Sequence, residues 1–323
     1  MDTSSVKKNA PVAPTLKIAF LVSDKPREIM LADALAKGAK VHGDRLEVRR
    51  TADYGEDENG DELKWSGPHP EDDVACFFGV KGKSRRIMDD YLAVGKATLF
   101  LDKGYTRSKG KNGHTEFTRV SVNGGDPLAY MMEQKRPSTR WERLGIELKE
   151  RQENGGHILL CCSSAKFHEF HGIKEPTRWA NQTVREIRDF SERTVIYRPK
   201  PSWRAAVPVE GALFTSGNTP IADALRGCHC VVTHGTTAAA DAIFAGVPAM
   251  VFGNAIARPV AETRIQSIET PYWGSADKRL RWASAMAYCQ WSMAELESGE
   301  AWAELKAEIL RQREPIMPVA SPK

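Results

Sequence analysis

Apolar residues come in short, nearly continuous runs, and between them lie stretches whose apolar positions recur at helical spacing. Leu16-Lys-Ile-Ala-Phe-Leu-Val-Ser23 is such a run, as a parallel strand covered on both faces requires. Pro26 then opens a helix over 27–40, with Ile29, Leu31, Ala34, Leu35 and Ala39 at helical spacing, and Asp24 is placed to cap it. The pattern continues with strands at 46–50, 74–80 and 97–101 and a helix at 84–94. The polar, acidic stretch 53–73 reads as a surface loop. This first set of elements ends near Pro127.

The alternation restarts at His157 after a charged connection in which Trp141, Leu144 and Leu148 predict a short helix. Strands are expected at 157–162, 194–197, 230–233 and 249–252, with helices at 176–192, 220–226 and 236–245. Residues 280–310, which carry Trp282, Met286, Trp291 and Trp302, read as helical. Strand and helix in alternation predict an α/β fold with two Rossmann-like domains facing across a cleft and a C-terminal helical tail. The expected boundaries are a disordered lead-in at 1–15, a first domain at 16–133 and a connection at 134–156. A second domain at 157–278 and the tail at 279–323 complete the division.

Length and composition narrow the picture without redirecting it. A chain of 323 residues exceeds one ordinary core. No apolar run reaches the about 20 residues of a membrane span, and the polar start lacks a signal-peptide core, so the expected location is the cytoplasm. The net charge of +4 fits an anionic small substrate and permits nucleic acid without requiring it. Six cysteines lack Cys-x-x-Cys spacing, and the adjacent Cys161 and Cys162 face opposite ways in a strand. They are expected as reduced, mostly buried thiols, and no metal site is expected.

In open parallel sheets ligands bind beyond the carboxyl ends of the strands. The residues there in the second domain are Ser163-Ser164, Arg198-Pro-Lys-Pro-Ser202, His234-Gly-Thr-Thr237 and Gly253-Asn254. At Gly235 a tight turn passes Thr236 and Thr237 to a helix start, where free backbone N–H groups attract phosphate. In any α/β fold Thr236 also serves as a plain cap. Arg198 and Lys200, stiffened by Pro199 and Pro201, suit a pyrophosphate, with a solvated basic loop as the plain alternative.

The order Arg198-Pro-Lys-Pro201, Asp223-Ala-Leu225, Val231-Val-Thr-His-Gly-Thr-Thr237 and Asp241 to Gly246-Val-Pro-Ala249 resembles the donor domain of GT-B glycosyltransferases. It is nearest their capsular-polysaccharide group, and the similarity covers residues 197–253. The resemblance implies that Arg198 and Lys200 hold donor phosphates and that His234, Thr236 and Thr237 border the donor, while Ser163, Ser164 and Gly235 are donor-site candidates by their place at the strand ends. Asp241 stands where the family often carries a ribose-binding Glu, and Glu262 is the other ribose candidate. That family's segment also carries a His, whereas Ser202 follows Pro201 here. Residues 257–262 and 286–293 also resemble small transferase-like proteins of phages and bacteria, some of which act on modified DNA bases.

Transfer of this kind needs a base for the acceptor hydroxyl. Asp102, after the strand at 97–101, is the candidate, with a plain salt bridge to Lys103 or Arg107 as its alternative. Lys81, Lys83, Arg85, Lys103, Tyr105 and Arg107 are candidates for an acceptor face, which would suit a polyanion such as DNA. Lys81-Gly-Lys-Ser-Arg-Arg86 lacks the full phosphate-loop spacing, which argues against a nucleoside triphosphatase. The expected partners are a nucleotide-sugar donor, as co-substrate without other cofactor or metal, and a DNA or glycan acceptor. Two rival functions remain: a nucleotide-sugar 2-epimerase on the same fold, and a non-catalytic nucleotide- or DNA-binding protein.

Overall fold

The computed structural model describes residues 14–23, 25–51, 55–56, 62–63, 65–79, 83–106, 116–124, 126–127, 131, 135–215 and 219–313. Strand β1 (Lys17–Val22) is buried almost throughout and leads into helix α1 (Pro26–Val41) with Pro26 in its first turn. Asp24, the expected cap, lies outside the described residues. Next come β2 (Arg45–Arg50) and a small antiparallel pair, β3 (Gly55–Glu56) and β4 (Glu62–Leu63), inside the stretch read as a loop. Strand β5 (Val74–Phe78), helix α2 (Lys83–Ala93) and β6 (Ala97–Lys103) follow.

The next strand was not expected. Segment β7 (Phe117–Val122) runs antiparallel to β6, placing Asp102 opposite Arg119. The short helix α3 (Thr139–Arg143) precedes β8 (His157–Cys162), and the six-residue α4 (Ala165–Phe170) precedes α5 (Pro176–Arg188). Then come β9 (Thr194–Pro199), β10 (Leu213–Phe214), α6 (Ile221–Ala224), β11 (Cys228–Thr233), α7 (Ala238–Phe244) and β12 (Ala249–Val251). The stretch read as one helical tail is α8 (Ala276–Ala287), strand β13 (Gln290–Ser292), α9 (Met293–Ser298) and α10 (Glu300–Arg313). Helical periodicity hides β13 because three residues are too few to show a period of two.

The first sheet has the order β13-β7-β6-β5-β1-β2 and the second β10-β9-β8-β11-β12. Strands β1, β2 and β5 are mutually parallel, whereas β7 and β13 are antiparallel. The second sheet is parallel throughout. The fold is therefore α/β with two sheets of parallel strands, the first extended by an antiparallel margin. By contact density the chain divides into two units. One is Met1–Phe77 with Arg86–Thr98 and Ala294–Lys323, and the other is Phe78–Arg85 with Leu99–Met293.

Within the first unit, the buried Asp44 carboxylate ties three segments together. It accepts from Leu16 N at 2.6 Å, Trp302 Nε1 at 2.6 Å and Lys306 Nζ at 2.9 Å. In the second unit, pleating sorts β8 between two apolar layers. Leu159 and Cys161 join Val231, Val251 and the alanines of α7, while Ile158, Leu160 and Cys162 join Val232, Met250 and Tyr197. The expected parting of Cys161 from Cys162 is what is found. All six cysteines are buried and unbridged. Burial pushes the Cys228 thiol up to about 12 and those of Cys76, Cys162 and Cys230 up as well. No helix among the described residues is long and apolar enough to cross a membrane.

Candidate functional site

The carboxyl ends of β8, β9 and β11 open onto a cavity of about 470 Å³ within the second unit. Ser163, Arg198, Lys200, Gly235, Thr236 and Thr237 form one of its walls. Asp102, Lys103, Tyr105 and Arg119, from the end of β6 and from β7, form another. Nine of the residues singled out from sequence therefore share one space. Ser164, His234, Glu262 and Arg85 are not among its lining residues. Lys81 and Arg107 lie outside the described residues, and Lys83 opens α2.

Strand β9 carries Arg198 and Pro199 further than expected, pairing Cys161 with Arg198 and Cys162 with Pro199. The Arg198 guanidinium donates to Thr219 O at 2.9 Å, which ties it to the chain before α6. At the β11–α7 turn, the expectation of a free N–H group at Thr236 needs correction. Thr236 N donates to Thr233 Oγ1 at 3.2 Å, since a threonine three residues earlier is placed to satisfy it. The Thr233 hydroxyl donates in turn to Thr236 Oγ1 at 3.2 Å.

The second wall is built on buried polar contacts. Both Asp102 oxygens are engaged: Oδ1 accepts Lys103 N at 2.7 Å and Oδ2 accepts Arg119 Nη2 at 3.0 Å. Asp102 thus does form a side-chain ion pair, but with Arg119 across the strand pair. Arg119 also pairs with Asp126, which accepts the Tyr105 hydroxyl at 2.6 Å. Burial works against the Arg119 charge, but Asp126, Tyr105 and Asp102 outweigh it and raise its pKa above the ordinary value. Burial raises the Asp126 carboxyl, although Arg119 and Tyr105 pull it down.

Gln290 of β13 props this wall from behind. Its Oε1 accepts Tyr105 N at 2.7 Å and Thr106 N at 3.2 Å, and its Nε2 donates to Thr106 Oγ1 at 3.0 Å. Glycine is needed at Gly104 because a Cβ there would lie 2.8 Å from Phe117 Cβ and 2.9 Å from Gln290 Oε1. The sequence pointed to neither Arg119 nor Gln290. The available signal was a lone arginine alternating with apolar residues in Phe-Thr-Arg-Val-Ser-Val.

The candidates outside the lining have other partners. Glu262 Oε1 accepts the N–H groups of Thr263 at 2.8 Å and Arg264 at 3.0 Å, closing its own turn. Burial would raise its pKa, but those two N–H groups and the Arg264 charge hold it below the ordinary value. His234 packs its ring on Gly253, where a Cβ would come within 2.3 Å of it. It lies 6.4 Å and 5.5 Å, between ring centroids, from His168 and His171 of the α4 region. Phe167, which lines the cavity, packs against His171 with ring centroids 4.4 Å apart and planes tilted by 50°.

Burial lowers the pKa of all three histidines, and that of His171 falls to about 4, with His234, Arg119, His168 and Arg85 adding repulsion. A histidine with a lowered folded pKa contributes stability that is complete above its unfolded value of 6.5 and is lost as pH falls toward about 4. Between those limits the His171 contribution lost is about 2 kcal/mol, after discounting for its partial exposure. The melting temperature of wild type should therefore fall steeply over that window, and that of His171→Asn less steeply. Equal slopes would show that His171 is not held neutral.

Among the described residues, no group of three or more His, Cys, Asp or Glu side chains is arranged to hold a metal ion. No protein-family model matches the chain, and no curated protein matches it. Among solved structures the chain is similar to two Thermosulfurimonas dismutans KpsC transferases. One is the beta Kdo 2,4 transferase, with TM-score 0.52, 11% identity, and coverage of 86% of this chain and 92% of that one. The other is the beta Kdo 2,7 transferase, with TM-score 0.52, 11% identity, and coverage of 89% and 99%. Methanocaldococcus jannaschii UDP-GlcNAc 2-epimerase aligns at TM-score 0.34 and 12% identity over 91% of this chain and 100% of its own, too loosely to carry argument. The KpsC likeness shows that the chain has a GT-B-like fold.

Proposed function

We propose that the protein transfers a sugar from a nucleotide-activated donor to a hydroxyl acceptor, and that the cavity at the ends of β8, β9 and β11 is where transfer occurs. The observation that carries this reading is the meeting, in one cavity, of Arg198, Lys200, Ser163 and Thr237 with the Asp102 carboxylate. Two cations and several hydroxyls suit the phosphates of the donor, where charge-assisted hydrogen bonds are strong. They offset the charge that grows on the leaving nucleotide, so the reading requires no metal and no cofactor beyond the donor.

Asp102 takes the proton of the acceptor hydroxyl, the acceptor oxygen bonds to the anomeric carbon, and the bond from that carbon to the phosphate oxygen breaks. The electron pair leaves with the nucleotide. A 2-epimerase would want several carboxylates around the hexose. Asp102 is the one carboxylate among the described lining residues, so this wall favours transfer. The acceptor is a hydroxyl compound, and a panel of oligosaccharides and hydroxymethylated DNA separates the two classes.

The test is calorimetric titration with UDP, GDP, ADP and CMP. One of them is expected to bind wild type, and Arg198→Ala should weaken it about 10–100-fold, the loss of one charge-assisted contact of about 1.5–3 kcal/mol. If none binds, the cavity is not a nucleotide site and the proposal fails.

A further inference from the structure

On the reading that Asp102 receives the acceptor proton, we infer that Arg119 is the positioning residue that fixes Asp102 for that step. The two residues face each other directly in the antiparallel β6–β7 pair. Arg119 Nη2 donates to Asp102 Oδ2 at 3.0 Å, and Nη1 donates to Asp126 Oδ1 at 3.3 Å. The guanidinium carbon lies 5.4 Å from the Phe100 ring centre and 5.3 Å from that of Tyr105. Arg119 is only 8% exposed and still lines the cavity.

A buried guanidinium must be paired, and Asp126, whose side chain is 5% exposed, already supplies that partner. Asp102 is different: its side chain is 39% exposed, and water would solvate it without help. The Arg119–Asp102 contact is therefore more than charge compensation. Its effect is to remove rotamer freedom from a carboxylate that would otherwise swing in an open space. Fixing a reacting group in this way is worth a large factor in rate, because misplacement by about 1 Å can cost about 100-fold. With Oδ1 held by Lys103 N and Oδ2 by Arg119, each oxygen retains lone-pair capacity for an acceptor hydroxyl. Asp126 holds the holder. It is itself held by Tyr105, whose backbone rests on Gln290.

The experiment compares full-length wild type, Arg119→Met, Arg119→Lys and Asp126→Asn. Calorimetry measures affinity for UDP, GDP, ADP and CMP, and steady-state kinetics measures nucleotide release from the matching nucleotide sugar in the presence of the panel of oligosaccharide and hydroxymethylated-DNA acceptors. Arg119→Met is expected to lower kcat about 30–100-fold while nucleotide Kd stays within about threefold. Arg119→Lys should recover to within about tenfold of wild type, because one cation still reaches Asp102. Asp126→Asn should fall between them, and it decides the matter if Arg119→Met does not fold. An unchanged kcat in both variants, or a tenfold weaker nucleotide affinity with kcat intact, overturns the positioning role while leaving the proposed function standing. A wild type that binds no nucleotide, or releases none from any donor, removes the proposed function and this inference with it.

Discussion

Asp102→Asn is expected to lower turnover by about 10²–10⁴-fold while leaving nucleotide affinity within about threefold of wild type. The amide keeps the size of the side chain, but its single oxygen can accept from Lys103 N or from Arg119 Nη2 and not from both, because the NH2 that replaces the other oxygen only donates. It also loses the capacity to take a proton. If Asp102 serves transfer, kcat falls and donor KM does not, the signature of an interaction made only in the transition state. If the protein only binds nucleotide or DNA, Asp102→Asn changes nothing beyond a local ion pair. Equal loss of binding and turnover would place Asp102 among donor ligands and send the search for a base elsewhere. The readout is steady-state nucleotide release alongside a calorimetric Kd on the same preparation.

Gly246→Ala should destabilise the second unit by at least about 3–5 kcal/mol, seen as a large drop in the urea midpoint or as failure to fold. Gly246 ends α7 with a φ of +80°, a region that a side chain disfavours by about 1 kcal/mol. The larger part comes from crowding: a Cβ at Gly246 would sit 2.1 Å from the Glu150 carbonyl oxygen. That oxygen is backbone and cannot swing away. The same stretch is pinned to the end of α7 by Lys149 N to Phe244 O at 3.1 Å and Gln152 N to Gly246 O at 2.7 Å. Gly43→Ala is the control, because Gly43 has a φ of +75° and a Cβ there would meet nothing within 4 Å. It should cost only the backbone part, about 1 kcal/mol. Similar losses in the two variants would show that the Glu150 contact is not a constraint.

The second sheet was legible because β8, β9, β11 and β12 are mostly buried parallel strands, whose centres announce themselves as short apolar runs. The rule that ligands gather at strand ends then led directly to Ser163, Arg198, Lys200 and the His234–Thr237 turn. His234 nevertheless turns its ring toward Gly253 and the other histidines, because strand-end position does not say which face a side chain takes. The margin of the first sheet was illegible for two reasons. Strand β7 alternates polar with apolar residues and follows a long polar stretch, while β13 is three residues embedded between helices. Arg119 could be read as a neighbour of Asp102 only through their register, and register depends on pairing that no local pattern encodes. Glu262 shows a related limit of position alone: an acidic residue after a strand serves equally well to close its own backbone turn, as Glu262 does.

Strand β13 also bears on the order in which the protein can mature. Gln290 lies 185 residues beyond Tyr105, whose backbone N–H it receives. During synthesis β6 and β7 leave the ribosome long before that glutamine exists, and the outer edge of β7 waits without its partner. An open edge invites pairing with another chain, so this stretch of the nascent protein is exposed to misassembly. Closing so long a loop also makes the contact a late one in folding from the full chain. The wall that carries Asp102 is therefore finished late, and a chain released before Gln290 would hold Arg198 and Lys200 beside an incomplete cavity wall.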